Sequence, residues 1–410
     1  MKEEITQIFP QIPTSVEIID CTLRDGEQTP GVWFTLEEKL ELAKLLSEAG
    51  VDVLDAGFPA GKSGDLEALQ EMRNLGLNVS IGATARPLKK DVAAAEESGA
   101  DEVFLFMPTS DFRLQQTLGI SRAQASTVFR EGAEEVVSRG MGLNLVFEDV
   151  SRSKPHWIIT LCEELKENIP INRLVLCDTV GATGPAMMER LIGQFYDVFH
   201  DDIRLCTHCH NDFGMATANT VAGVMAGARA VTCTVNGIGE RAGNADIAEV
   251  VATLEHIYHI GHNIKPKYLP VLSALVERYT GIFMSPLKAV TGFNVYRHES
   301  GIHVDGMPKE RKSYEFLPAS WIEKNSQYIL GKHSGSALIR HILSEASISF
   351  DEDLVNNLLK AVKSLTVERS KVAHYETFHR LQKFQQEHLS GIDVNTVLHK
   401  ARLAKQEVTK

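Results

Sequence analysis

Eight short apolar runs, each followed by a stretch with helical spacing, constrain this chain more tightly than any other feature of it. The runs are Val16–Asp20, Val51–Ala56, Asn78–Ala83, Glu102–Met107, Gly142–Phe147, Arg173–Asp178, Ile203–His208 and Ala230–Asn236. Their near-continuous Val, Ile, Leu and Phe content fits strands buried on both faces, as parallel strands are. Thr35–Ala49, Arg122–Ser138, Ala186–Phe199 and Ala245–Ile257 repeat apolar residues at helical intervals. Thr35 with Glu38, and Ser121 ahead of the next run, supply helix starts; Gly50, Gly99 and Gly227 supply stops. Eight βα units within residues 1–285 give an α/β fold of the closed (β/α)₈, or TIM, barrel type. A doubly wound sheet is the runner-up, but no GxGxxG follows the first run, and NGIGERAG comes after the eighth with other spacing.

The alternation fails beyond the barrel. Residues 286–336 are rich in Gly, His and Pro and are expected to form a loop-rich connector. Residues 337–410 are expected to form a small helical region, with helices at 337–346 and 351–367 and a last one from Val394. A net charge of −12 argues against nucleic-acid or anionic-membrane surfaces, which require an excess of Lys and Arg. The amino terminus lacks an apolar leader, no apolar run is long enough to cross a bilayer, and the six cysteines form no CxxC pair. A cytoplasmic protein with reduced thiols is therefore expected.

In a barrel of this type, chemistry gathers at the carboxyl ends of the strands. Every run here leads into polar groups: Arg24, Asp25 and Gln28; Asp55; Arg86; Ser110; Glu148; Thr179; His208 and His210; and Asn244. His208 and His210 alternate on an extended chain and so reach toward one side. Asp25, from the first unit, closes a ring with the eighth and lies near the seventh, where it can add a carboxylate. With Asn244 as a further candidate, this set suits Mg²⁺, Mn²⁺, Co²⁺ or Zn²⁺ and leaves positions for a chelating substrate.

DCTLRDGEQTPG (20–31), HCHNDFGMATANT (208–220), NGIGERAGNA (236–245), HESGIHVDG (298–306) and LGKHSG (330–335) resemble signatures of the isopropylmalate synthase and homocitrate synthase family. That resemblance implies condensation of acetyl-CoA with a 2-oxo acid at a divalent metal. It implies Asp25, His208, His210 and Asn244 at the metal, and Arg24 beside the keto oxygen. Gln28, Asp55 and Thr179 would contact the 2-oxo acid, with Thr179 on its carboxylate. His303 and Tyr314 would deprotonate the acetyl methyl group, with Glu148 among the catalytic residues. It also implies a homodimer in which the post-barrel segment completes the neighbour's site.

For the substrate, the HVDG element and the short carboxyl terminus favour 2-oxoglutarate and a homocitrate product. DAGFPA (55–60) pulls toward isopropylmalate synthases. Citramalate, citrate and phosphonomethylmalate synthases remain open, as does a metal-dependent aldolase or lyase on the same barrel. A dicarboxylate would need a far-end contact, for which Arg86 and Ser110 are the candidates. A non-haem iron oxygenase also uses two His and a carboxylate, but usually on antiparallel β scaffolds.

Overall fold

The computed structural model describes all residues except 1–3, 5–6, 62–63, 300–314, 369–370, 390 and 409–410. By internal contacts the chain separates into two compact units, Met1–Phe283 and Met284–Lys410. The first is a closed barrel of eight parallel strands in sequence order. These are β1 (Glu17–Asp20), β2 (Val53–Asp55), β3 (Ser80–Ala85), β4 (Glu102–Pro108), β5 (Gly142–Glu148), β6 (Arg173–Asp178), β7 (Arg204–Cys209) and β8 (Ala230–Cys233). Closure is made by β1 on β8, with Glu17 opposite Ala230 and Asp20 opposite Cys233.

The helical stretches settle where their capping residues direct. Thr35 and Ser121 each close a capping box, with Glu38 and Gln124, and start α1 (Leu36–Ala49) and the helix Arg122–Ser138. Asp246 caps Ile247–His256 through the Glu249 amide, so the helix begins two residues later than its apolar spacing alone suggests. The eighth apolar run also overshoots. Asn236 takes a left-handed backbone (φ 61°), which ends β8 at Cys233 and turns the chain through Val235–Gly237. Asn236 then binds Ser273 in both directions, its Nδ2 donating to the carbonyl and its Oδ1 accepting from the hydroxyl.

Inward-facing residues alternate along the strands and stack in layers. A middle layer includes Ile19, Val53, Phe104, Val175, Cys206 and Ala230. At the amino-terminal mouth the plug is ionic rather than apolar. Arg173 donates to both Glu17 oxygens at 2.7 and 2.8 Å and to Asn144 Oδ1 at 2.9 Å, and it also pairs with Glu102. Glu102 in turn accepts from Ser80 Oγ at 2.6 Å and Asn144 Nδ2 at 2.8 Å. Five strands are thereby tied at their starts. Outside the barrel, the helix Ala216–Met225 lies so close to β7 that a Cβ on Gly223 would fall 2.3 Å from Thr207 Cγ2. The glycine thus permits close packing of this helix on the strand bearing His208.

The second unit, considered alone, holds a two-stranded parallel ladder (Arg297–His298 with Gln327–Tyr328) and the helices Ser336–Glu345, Glu352–Glu368, Val372–His388 and Val394–Val408. The sequence pattern misses Val372–His388. None of its residues is buried, so it lacks the apolar stripe by which a packed helix is recognised. Among the described residues no helix is long and apolar enough to cross a membrane.

Removing the cation from the ionic plug should strand Glu102, which is 4% exposed. Arg173→Met is expected to lower unfolding free energy by about 3–5 kcal/mol, the usual cost of breaking a buried pair by removing one partner. Adding Glu102→Gln should recover part of this loss. Chemical denaturation of the two variants measures both effects, and a change in Arg173→Met below about 0.5 kcal/mol would contradict the role assigned to the plug.

Candidate active site

The carboxyl-terminal mouth is built from the turn after β1 outward. The Cys21 carbonyl accepts the amides of Arg24, Asp25 and Gly26 at 3.2, 2.8 and 3.0 Å, which curls the chain back over the barrel. Thr22 fixes this turn: its amide and hydroxyl donate to Asp20, and its hydroxyl accepts the Val235 amide from beyond β8. Burial pushes the Asp20 carboxyl up to about 7 despite the two bonds from Thr22.

This turn delivers Asp25 to β7. Asp25 Oδ2 lies 3.2 Å from His208 Nε2 and 3.9 Å from His210 Nε2, and the two Nε2 atoms are 3.2 Å apart. All three side chains are buried, and together they form the one group among the described residues whose His, Cys and carboxylate atoms could hold a metal ion. Thr232 Oγ1 donates to the Thr207 carbonyl and so accepts from His208 Nδ1 at 2.8 Å, leaving the His208 Nε2 lone pair aimed at the cluster. Burial opposes the Asp25 charge, but Arg24 and the two imidazoles outweigh it and hold the carboxyl well below the usual range. His210 is pushed down to about 4 by burial and by His208, so it is neutral at pH 7. Asp25 Oδ1 and Asn244 Oδ1 are buried without a hydrogen-bond partner. Asn244 is oriented by its Nδ2 bond to the Ile238 carbonyl at 3.1 Å. Gly239 leaves room for this arrangement, since a Cβ there would sit 2.0 Å from Asn244 Nδ2. Two imidazoles, an ionised carboxylate and orphaned oxygens fit a divalent cation.

A cavity of about 320 Å³ opens from this cluster across the barrel mouth. Arg24, Asp25, Gln28, Asp55, Glu148, Thr179, His208 and His210 line it. Asp55 is fully engaged there: one oxygen takes Arg24 Nε at 2.8 Å and the other takes Thr84 Oγ1 at 2.9 Å. It thus points the Arg24 guanidinium toward Asp25, 3.4 Å away. Thr179 Oγ1 accepts the Asp149 amide at 2.8 Å, which leaves its hydroxyl proton for another acceptor. Asp149 is itself left-handed (φ 61°), clamped by both arms of Arg152 and by Ser110 Oγ. Burial holds Glu148 above its ordinary value, with Arg113 at 3.1 Å working against that rise.

Arg86 and Ser110 are not in this lining. Arg86 instead grips Asp91 on its own following helix at 2.6 and 3.1 Å, and Ser110 is occupied with Asp149. His303 and Tyr314 lie outside the described residues. Residues that the strand-end survey passes over include Thr232, Thr84, Phe106 and Cys177 within the strands and Arg113 just after β4; Glu240 and Arg241, which follow the eighth run, also line the cavity. The period-two rule applied backward from Thr179 would have found Cys177.

Comparison with known proteins agrees with this architecture. Residues 15–276 match the HMGL-like family, and residues 290–370 match the family described as homocitrate synthase post-HMGL domain-like. A putative (R)-citramalate synthase of Methanopyrus kandleri is 41% identical over 86% of this chain and 69% of its own length. A probable 2-isopropylmalate synthase of Archaeoglobus fulgidus is 38% identical over 90% of this chain and 73% of its own. A homocitrate synthase of Methanothermobacter thermautotrophicus is 39% identical, covering 91% and 94%. The HMG-CoA lyase of Bacillus subtilis superposes with a TM-score of 0.60 at 21% identity, over 68% of this chain and 98% of that one, which speaks to the fold. The chain belongs to the HMGL-like family and carries a homocitrate synthase post-HMGL domain-like segment, and its relatives are named as isopropylmalate, homocitrate and citramalate synthases.

Proposed function

We propose that this protein condenses acetyl-CoA with a 2-oxo acid to give a 2-hydroxy acid and free CoA. The observation that carries the reading is the convergence of Asp25, His208 and His210 within a few ångströms of Arg24 at the barrel mouth. Relatives named as citramalate, isopropylmalate and homocitrate synthases support it, and the match through 290–370 favours a synthase over a lyase on the same barrel.

Asp25, His208 and His210, with Asn244 beside them, would hold a divalent ion (Mg²⁺, Mn²⁺, Co²⁺ or Zn²⁺). When bound, such an ion supplies Lewis acidity toward the keto group. The remaining tasks belong to side chains. Arg24, fixed by Asp55, offers positive charge where the keto oxygen becomes an alkoxide, without reorganising during the step. Thr179, its oxygen occupied by the Asp149 amide, can donate its proton to the 2-oxo acid carboxylate. A base removes one proton from the acetyl methyl group, and we assign this to Tyr314 with His303. The resulting carbanion forms the new bond to the keto carbon, and the alkoxide takes up a proton. Water then cleaves the thioester, releasing the CoA thiol. Glu148, whose carboxyl burial holds above its ordinary value, is placed to relay a proton near the new hydroxyl. The homodimer belongs to the same proposal, with Tyr314 acting in the neighbouring subunit's site. As to the 2-oxo acid, the HVDG element favours 2-oxoglutarate, yet Arg86 and Ser110, its expected far-end contacts, are engaged elsewhere.

Chelator treatment should abolish thiol release from acetyl-CoA, and one of the four cations should restore it. His210→Ala should remain folded by circular dichroism while losing bound metal by elemental analysis; full metal occupancy in this variant would remove the cluster from the mechanism. Arg24→Lys keeps a charge but cannot retain the paired bonds to Asp55, so kcat should fall by roughly 10²–10³ with a smaller change in KM. An equal loss in binding alone would place Arg24 in substrate capture. Tyr314→Phe should lower kcat by about 10²–10⁴. Mixed with His210→Ala protein it should regain activity through hybrid dimers, and inactive mixtures with proven subunit exchange would confine each site to one chain.

A further inference from the structure

The far wall of the cavity has a different character from the metal side. In a closed eight-stranded barrel, β3–β5 face β7, β8 and β1 across the axis. Asp25, His208 and Thr232 therefore occupy one side, and Thr84, Phe104, Phe106 and Val146 the other. Phe58, from the turn after β2, packs edge-on against Phe106 with ring centroids 6.1 Å apart. Arg86 lies over the Phe58 ring, 5.3 Å from its centroid, while its donors hold Asp91. Phe58, Phe106 and Val146 are only half-buried, and all three contribute surface to the cavity. Partly bared aromatic and aliphatic carbon inside a concave site calls for an apolar occupant.

Charge on this wall is already neutralised. Among the described residues Arg113 is its one cation in the cavity lining, and Glu148 holds it at 3.1 Å. A second carboxylate at the far end of the substrate would have to be buried against rings or to break that pair, and either is costly. A ring, by contrast, gains both area burial and edge-to-face contact with Phe58 and Phe106.

Resting on the condensation reading, we propose that the preferred 2-oxo acid carries an aromatic ring as its tail, as a 3-aryl-2-oxopropanoate does. Its keto and carboxylate end sits at Arg24, Thr179 and the Asp25–His208–His210 cluster, and its ring sits against Phe58, Phe106 and Val146. The product is then a 2-aryl-methyl-2-hydroxy dicarboxylic acid, and an aromatic amino acid's transamination is the class of reaction that supplies such a substrate.

The test is thiol release from acetyl-CoA by the metal-loaded full chain with phenylpyruvate, 2-oxoisovalerate, pyruvate and 2-oxoglutarate. Phenylpyruvate should give the highest kcat/KM, exceeding 2-oxoglutarate by at least about tenfold, as expected when an unpaired carboxylate must be buried. Calorimetry without acetyl-CoA should show phenylpyruvate binding more tightly than 2-oxoglutarate. Phe106→Ala should lower the phenylpyruvate-to-pyruvate ratio of kcat/KM by roughly tenfold or more, and Phe58→Leu should act in the same direction. Preference for 2-oxoglutarate or for 2-oxoisovalerate would overturn the aryl assignment while leaving the condensation intact. An unchanged ratio in both variants would also overturn it. Thiol release with none of the four acids would instead defeat the condensation reading itself.

Discussion

Closure of the barrel by the β1–β8 ladder places groups that are far apart in sequence within contact of one another. Because β8 lies between β1 and β7, a turn after β1 can lean across it and set a carboxylate against imidazoles on β7. The ladder's register matters as much as its existence. Asp20 opposite Cys233 brings Thr22 to the Val235 amide, and this bond holds the Arg24–Asp25 turn over the mouth. A two-residue slip would move the turn by some 6–7 Å along the barrel and separate Asp25 from His208. The ionic plug at the opposite end, where Arg173 joins strands β1, β4, β5 and β6, opposes such a slip from below.

Once the ring is closed, the chemistry follows from an uneven division of polarity around it. Strands β7, β8 and β1 and the turn after β1 contribute imidazoles, a carboxylate held ionised and a hydroxyl that orients His208. Strands β3 to β5 contribute rings and a valine, with Arg113 and Glu148 cancelling one another. One wall thus suits a chelating, anionic head and the other a carbon tail. Arg24 stands between the two, and its orientation comes from Asp55 rather than from any substrate. Preorganisation of this kind is what allows a guanidinium to stabilise developing charge at no further cost.

Much of this was legible in the sequence. Apolar runs separated by capped helical stretches place seven strands to within two residues at either end, and the HxH pair with Asp25 marks the three side chains that converge at the barrel mouth. Where the pattern failed, a specific competing force explains it. Asn236 adopts a left-handed turn that no hydropathy pattern encodes, and Val372–His388 buries nothing and so leaves no periodic trace. Arg86 and Ser110 show a subtler limit. Sequence marks a polar residue after a strand, but whether it faces the cavity depends on nearby partners, here Asp91 five residues on and Asp149 from the next loop. The aromatic wall escaped notice because rings within a strand read as core until the barrel shows them half-exposed to a cavity.

In the proposed reaction this mouth makes a carbon–carbon bond at the expense of a thioester. The most direct measurement is the stoichiometry of the reaction, followed by mass spectrometry with acetyl-CoA carrying ¹³C in the acetyl group. One CoA thiol should appear for each 2-oxo acid consumed, with both labelled carbons found in a single 2-hydroxy dicarboxylic product. Thiol release without incorporation of the label, or net cleavage of a 2-hydroxy acid to a 2-oxo acid under the same conditions, would contradict it.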